Sequence, residues 1–325
     1  MALRGTSVIR REDDPLLRGE ANFVADLRFD NPTYVFYLTS TMAHAKIASI
    51  NISDALSMPG VLDIITNADL DIGPYPAASP LFDNAMIRPL LADGRVRFVG
   101  EPIAAVIAET TAQAVDAAEM IDVDYRPLDV VVHPEDALND SVLLFADSAD
   151  GNIACRMEAE GLSADFDSCQ VVTEVRTINN RLAPAPLETR VAAATWGQDG
   201  RLHCYNAGQG PHPVRSAIAA ILGLDKEKVR VISGDVGGSF GAKARPSPEE
   251  ALLGWLSKRV GRPVIWVPTR SQDMVGLDMA EARSSTAKSE GVKTGRYLRI
   301  TCMLFKKQVL TQREGLVYLP TREQC

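Results

Sequence analysis

Short apolar runs separated by polar punctuation organise the first 130 residues. Tyr34 to Leu38 and Ala43 to Ile50 read as strands, Ser53 caps a short helix start, and Gly60 to Ile65 reads as another strand. Residues 67–84, with Gly73, Pro74, Pro76 and Pro80, form a long loop. From Val96 the pattern tightens into strand, Gly100–Pro102 turn, strand, helix and strand. Thr110 or Thr111 caps that helix, and Ala114, Val115, Ala118, Met120 and Ile121 supply its apolar side. Val132 to Gly151 is polar, acidic and turn-rich, the character of a linker.

The second half opens with an alternating strand from Cys169 to Arg176. Ala192–Trp196 and Gly200–Tyr205 flank an Asp199-Gly200 turn, which signals a hairpin. Gln209 to Pro213 then leads into a helix whose buried side is Val214, Ile218, Ile221 and Leu222. That puts Gln209 at a strand exit facing a helix N-terminus, where amide donors and the helix dipole favour anions. A β-branched strand, Val229 to Ile232, runs into a glycine-rich turn containing Gly237, Gly238 and Gly241. Past Pro246 and Pro248, helical spacing returns with Ala251, Leu252, Trp255, Leu256 and Val260. Strand, glycine turn and helix together bring backbone N–H groups against an anionic ligand.

Composition narrows the class. The chain has 325 residues, enough for about two domains. Apolar residues make up 46%, sufficient for ordinary cores, and the net charge of −8 argues against an electrostatic nucleic-acid binder. No apolar h-region follows the start and no run is long enough to span a bilayer, so the expected location is cytoplasmic. Cys155, Cys169, Cys204, Cys302 and Cys325 are scattered without a C-x-x-C pair, which argues against an iron–sulfur or structural zinc site in this chain. His44, His133, His203 and His212 lack i, i+4 pairing, so no protein-ligated metal is expected. His44 between alanines reads as a packed or surface histidine, and Glu101 in its turn as solvated or structural.

The glycine turn fits neither common phosphate motif. Ala242 and Ala244 flank Lys243 where a P-loop needs G-K-[ST], and no glycine pair here has the first spacing of G-x-G-x-x-G. On these residues alone a ligand-free turn and a cofactor site stand level. The context adds more. Gly237, Gly238, Ser239, Phe240, Gly241, Ala242 and Lys243, with the upstream GQGPHP segment and the downstream Thr269-Arg270-Ser271-x-Asp273, resemble the molybdopterin-binding large subunit of the molybdenum hydroxylases. That family includes xanthine dehydrogenase, aldehyde oxidase and carbon monoxide dehydrogenase. Ser239 stands where a third glycine is usual. Arg11, Glu12, Asp13, Leu16, Gly19, Phe23 and Asp26 resemble the family's leading segment, Gly100 and Glu101 its G-E-P turn, and Pro186, Glu188 and Arg190 its P-x-E-x-R segment.

The resemblance implies an α+β fold: an a/b hammerhead domain over 1–131, a linker over 132–151, and the first part of a molybdopterin-binding domain over 152–277. It implies that Gln209, Gly237, Gly238, Ser239, Phe240 and Gly241 contact a molybdenum–molybdopterin cofactor, in the family often the cytosine dinucleotide form, with Gln209 donating to an oxo ligand. Lys243 reads as a solvated cation. Iron–sulfur and FAD centres are implied on partner subunits. Ala244 replaces the glutamate of purine-oxidising members, which leans the substrate towards aldehydes or carbon monoxide. A non-catalytic α/β binding or scaffold module is the alternative.

The resemblance stops near Met274. From Asp278 onward nine Lys and Arg face five Asp and Glu, and no helix or strand period is sustained. A one-nucleotide shift of reading frame accounts for the change as a hypothesis, with 278–325 a poorly ordered, non-family tail; a gene sequence with no family-like frame in either neighbouring register removes it. The family's glutamate base lies beyond this segment, so no catalytic residue is assigned and the chain alone is expected to be inactive.

Overall fold

The structure is a computed structural model describing residues 5, 7–77, 80–156, 171–277, 282–291, 303–309 and 316–322, the last three by their backbone alone. The first strands are β1 (Thr33–Thr39), β2 (Ala45–Asn51), β3 (Val61–Thr66), β4 (Arg95–Val96), β5 (Pro102–Ala108) and β6 (Asp122–Pro127). They are followed by β7 (Ile153–Arg156), β8 (Val171–Asn179), β9 (Ala192–Trp196), β10 (Leu202–Asn206), β11 (Val229–Ile232) and β12 (Val264–Trp266). Four helices matter for the site and its core: α1 (Thr111–Glu119), α2 (Pro211–Ile221), α3 (Pro248–Val260) and α4 (Arg270–Gly276).

A seven-stranded mixed sheet in the order β11-β10-β9-β12-β1-β5-β3 carries the molecule. It draws strands from both halves of the chain: β12 lies parallel to β1, with Thr33 opposite Val264 and Tyr34 opposite Ile265. Every residue of β5 is buried because both sheet faces are covered. Ala105 and Ile107 point into a core shared with Leu252, Leu253 and Leu256 of α3, whereas Ala104, Val106 and Ala108 pack with Ala114, Ala117 and Ala118 of α1. Strand alternation thus divides one sequence run between two helical layers. The Thr110 side chain caps α1 by accepting from the Gln113 amide, but Met120 ends the helix half-exposed instead of joining its apolar side. The expected hairpin forms, with Trp196 opposite Leu202 and Gly200 in the left-handed region (φ 76°).

β4, β2 and β6 make a separate three-stranded sheet. The 132–151 segment is ordered against it and its neighbours. Leu144 and Phe145 are buried with Met86, and Asn152 donates to the carbonyls of Ala137 and Val142 while accepting from the Leu144 amide. His44 is packed, its Nδ1 2.6 Å from the Asp129 carbonyl, and Glu101 is buried, accepting from the Arg97 amide. Burial lowers the His44 pKa.

β13 (Ala282–Gly291), β14 (Met303–Val309) and β15 (Leu316–Arg322) join β7 and β8 in a five-stranded sheet of order β7-β15-β14-β13-β8. Strands therefore occur where the side-chain pattern carries no period, because pairing uses main-chain groups that every residue but proline offers in full. Cys169 and Gln170, the expected start of β8, and Cys302 and Cys325 lie outside the described residues.

Candidate functional site

Four stretches far apart in sequence meet where β10 ends. The first is Gln209, just before α2, whose backbone amide donates to the Lys243 carbonyl at 3.0 Å. The second is the glycine turn. Its Ser239 hydroxyl donates to Gln209 Oε1 at 2.5 Å and accepts from the Lys243 amide at 3.2 Å. The structure brings all six sequence-predicted residues into one neighbourhood: Gln209 bonds to Ser239, and Gly237, Gly238, Phe240 and Gly241 belong to the same turn.

The turn's shape explains its glycines. Gly238 and Gly241 have φ values of 98° and 91°, conformations that L side chains rarely adopt. At Gly237 the constraint is space, since an added Cβ would lie 2.5 Å from Glu188 Cβ. At Gly241 an added Cβ would meet nothing within 4 Å, so the turn faces open space there. Phe240 also sits in the left-handed region (φ 54°), unusual for a bulky residue, and 75% of it is exposed.

The third stretch holds the turn from beneath. Glu188 accepts from the Gly237 amide at 2.8 Å, and its own amide donates to the Gly237 carbonyl at 3.1 Å. Lys243 is buried and its Nζ lies 3.4 Å from Glu188 Oε2, so the lysine is an internal partner of the turn, not a solvated cation. Burial lowers its pKa, while Glu188 acts in the opposite direction. No local signal could have revealed this pair, because its members lie 55 residues apart.

The fourth stretch is α4 and its cap. Arg270 donates to the Leu187 carbonyl, and Asp273 Oδ1 accepts from both the amide and Nε of Arg190 at 3.2 and 3.0 Å. Arg190 also reaches Glu249 at 3.3 Å and stacks over Trp266 at 5.2 Å. All three charged groups are buried. The Thr-Arg-Ser-x-Asp and Pro-x-Glu-x-Arg segments are thus two ends of one brace under the glycine turn. Glu250, at the start of α3, accepts from the Ser247 amide at 2.7 Å, and burial pushes its carboxyl from the usual 4.5 up to about 7. Nearby Cys204 is buried and its thiol is pushed up to about 12, which makes it an inert core group.

A model of the molybdopterin cofactor-binding domain matches residues 145–309, and one of the aldehyde oxidase and xanthine dehydrogenase a/b hammerhead domain matches residues 18–129. The chain belongs to the molybdenum hydroxylase large-subunit family. Its α+β fold agrees: the hammerhead match contains β1 to β6, and the cofactor-binding match contains the glycine turn. Among its relatives, the nicotine 6-hydroxylase large subunit of Paenarthrobacter nicotinovorans is 34% identical over 90% of this chain. The carbon monoxide dehydrogenase large chain of Afipia carboxidovorans is 31% identical, also over 90%. The chain spans 37% and 38% of those two relatives. Quinoline 2-oxidoreductase from Pseudomonas putida 86 superposes with a TM-score of 0.83 at 34% identity, covering 94% of this chain and 39% of its own. Among the described residues of this molybdenum hydroxylase large-subunit chain, no helix is long and apolar enough to cross a membrane.

Proposed function

We propose that Gln209 and the backbone of Gly237 to Gly241 form one wall of the seat for a molybdenum–molybdopterin cofactor, and that the chain serves as the N-terminal portion of a hydroxylase large subunit. The observation that carries this reading is the direct link between Gln209 and the turn, through Ser239 and the Lys243 carbonyl. The residues fit the group. Gly241 leaves open room, Gly238 and Gly241 take left-handed conformations that let backbone approach a ligand closely, and Gln209 can donate without adding charge beside a metal.

When bound, the cofactor supplies the redox centre that takes electrons from substrate as oxygen from water enters the product. The chain's own residues do the positioning. Gln209 would donate towards an oxygen acceptor on the group, the backbone from Gly238 to Gly241 would lie along its polar edge, and Phe240 would line one side. Glu188 and Lys243 keep the turn from spreading. We further assign the division at 131, 151 and 277, a cytoplasmic location, a cytosine dinucleotide form of the pterin, and iron–sulfur and FAD partner subunits. Ala244 favours an aldehyde or carbon monoxide as substrate. A second reading, an N-heteroaromatic substrate, draws on the names of the two 34%-identical relatives, nicotine 6-hydroxylase and quinoline 2-oxidoreductase.

The test is metal and pterin analysis of the chain purified from a host that makes molybdopterin, alone and with partner subunits and the remaining large-subunit length. The expected result is substoichiometric molybdenum and no turnover for the chain alone, with both restored in the complex. Molybdenum absent from the complex, or unaltered there by Gln209→Leu and Gly238→Val together, removes the reading.

A further inference from the structure

Ser239 occupies the place where the family resemblance expects glycine, and its hydroxyl both donates and accepts. Oγ accepts the Lys243 amide proton at 3.2 Å and faces the Gln209 side-chain oxygen at 2.5 Å. A hydroxyl has one proton to give. With Gln209 oriented oxygen-inward, the chain Lys243 N–H to Ser239 O–H to Gln209 Oε1 runs in one direction, and each bond polarises the next. With the amide reversed, two donors converge on the hydroxyl, and the short bond from its own proton to the Gln209 oxygen is lost. The backbone at Gln209 is meanwhile fixed through its amide on the Lys243 carbonyl.

We propose that Ser239 is a positioning residue that locks the Gln209 amide with its oxygen turned into the fold, so that position 209 presents only N–H donors to the open side of the glycine turn. A side chain held this way selects groups that accept hydrogen bonds and rejects donors, because a donor placed there meets an unpaired N–H. The orientation itself needs no cofactor. The ligand class, an oxygen acceptor on the cofactor, rests on the function proposed above.

The two parts are tested separately. The full chain is labelled with ¹⁵N at glutamine side chains, and the Gln209 resonance is identified by its loss in Gln209→Leu. In Ser239→Ala and Ser239→Gly the Gln209 amide resonance is expected to shift and to relax as a freely turning side chain; in Ser239→Thr it should stay as in the parent. Tryptophan fluorescence reports folding of each variant, and Ser239→Gly carries the comparison should Ser239→Ala fail to fold. An amide resonance unmoved in the glycine variant, or a threonine variant behaving like the alanine one, overturns the positioning role. In the loaded complex, Gln209→Glu replaces donors with acceptors and should cut bound molybdenum about tenfold or more. Unchanged molybdenum there overturns the donor assignment, whereas a complex that never binds molybdenum refutes the cofactor reading and leaves the amide result standing.

Discussion

Glu250 sits where three cationic or anionic neighbours cannot settle its charge in one direction. Burial is the largest influence and raises its pKa; the Ser247 amide, Arg190 and Lys243 act against that rise, and Glu249 adds to it. The balance takes the carboxyl from 4.5 to about 7. A group whose folded pKa is raised binds its proton more tightly in the folded state, so its contribution to stability is fully present below 4.5 and is lost as pH rises through about 7. At ~1.4 kcal/mol per pH unit, the loss across that window is roughly 3 kcal/mol. Glu250→Gln keeps an oxygen for the Ser247 amide but removes the titration. Urea unfolding followed by tryptophan fluorescence, on parent and variant from about pH 4 to about pH 8, isolates the effect from other carboxyls. The variant should gain stability on the parent by roughly 3 kcal/mol over that range. A difference that stays level with pH refutes the claim that Glu250 is held protonated by its surroundings.

Other perturbations read the same framework. Lys243→Met strands the Glu188 carboxylate under the turn and should cost about 3–5 kcal/mol in chemical denaturation, with Lys243→Met/Glu188→Gln recovering part of it; a double-variant loss equal to the sum of the Lys243→Met and Glu188→Gln losses would show that the pair does not couple. Gly254→Ala places a Cβ 2.6 Å from Leu202 Cδ2, an overpacking of about 1–3 kcal/mol that should lower the thermal midpoint without altering the glycine turn. Thr110→Ala removes the α1 cap and should cost about 1 kcal/mol, read in the same unfolding assay; no loss would mean the cap is replaced locally.

The sequence made some of this legible for local reasons. The β9–β10 hairpin follows from alternation around Asp199-Gly200, and the strand–turn–helix from Val229 to Val260 follows from period and punctuation, since both depend on neighbours in sequence. Gln209 and the turn could be paired through family likeness. The brace beneath them could not. Lys243 after a glycine turn looks like a surface cation until Glu188 is placed against it, and Arg190 gives no sign of meeting both Glu249 and Asp273. Nor does β12, a three-residue strand, announce that it lies between β9 and β1. Such contacts depend on the path of the whole chain, not on any window of it.

That last pairing bears on how the molecule is made. The free edge of β1 receives its neighbour only when residues 262–266 arrive: the Thr33 amide donates to the Pro263 carbonyl at 2.7 Å, and Arg262 spans to Glu109 and to the carbonyls of Asn31 and Pro32. On the ribosome, more than two hundred residues separate the emergence of this strand from that of its companion. The nascent N-terminal half must hold an unfinished border throughout that interval, and chaperone capture during translation should centre on Thr33 to Thr39.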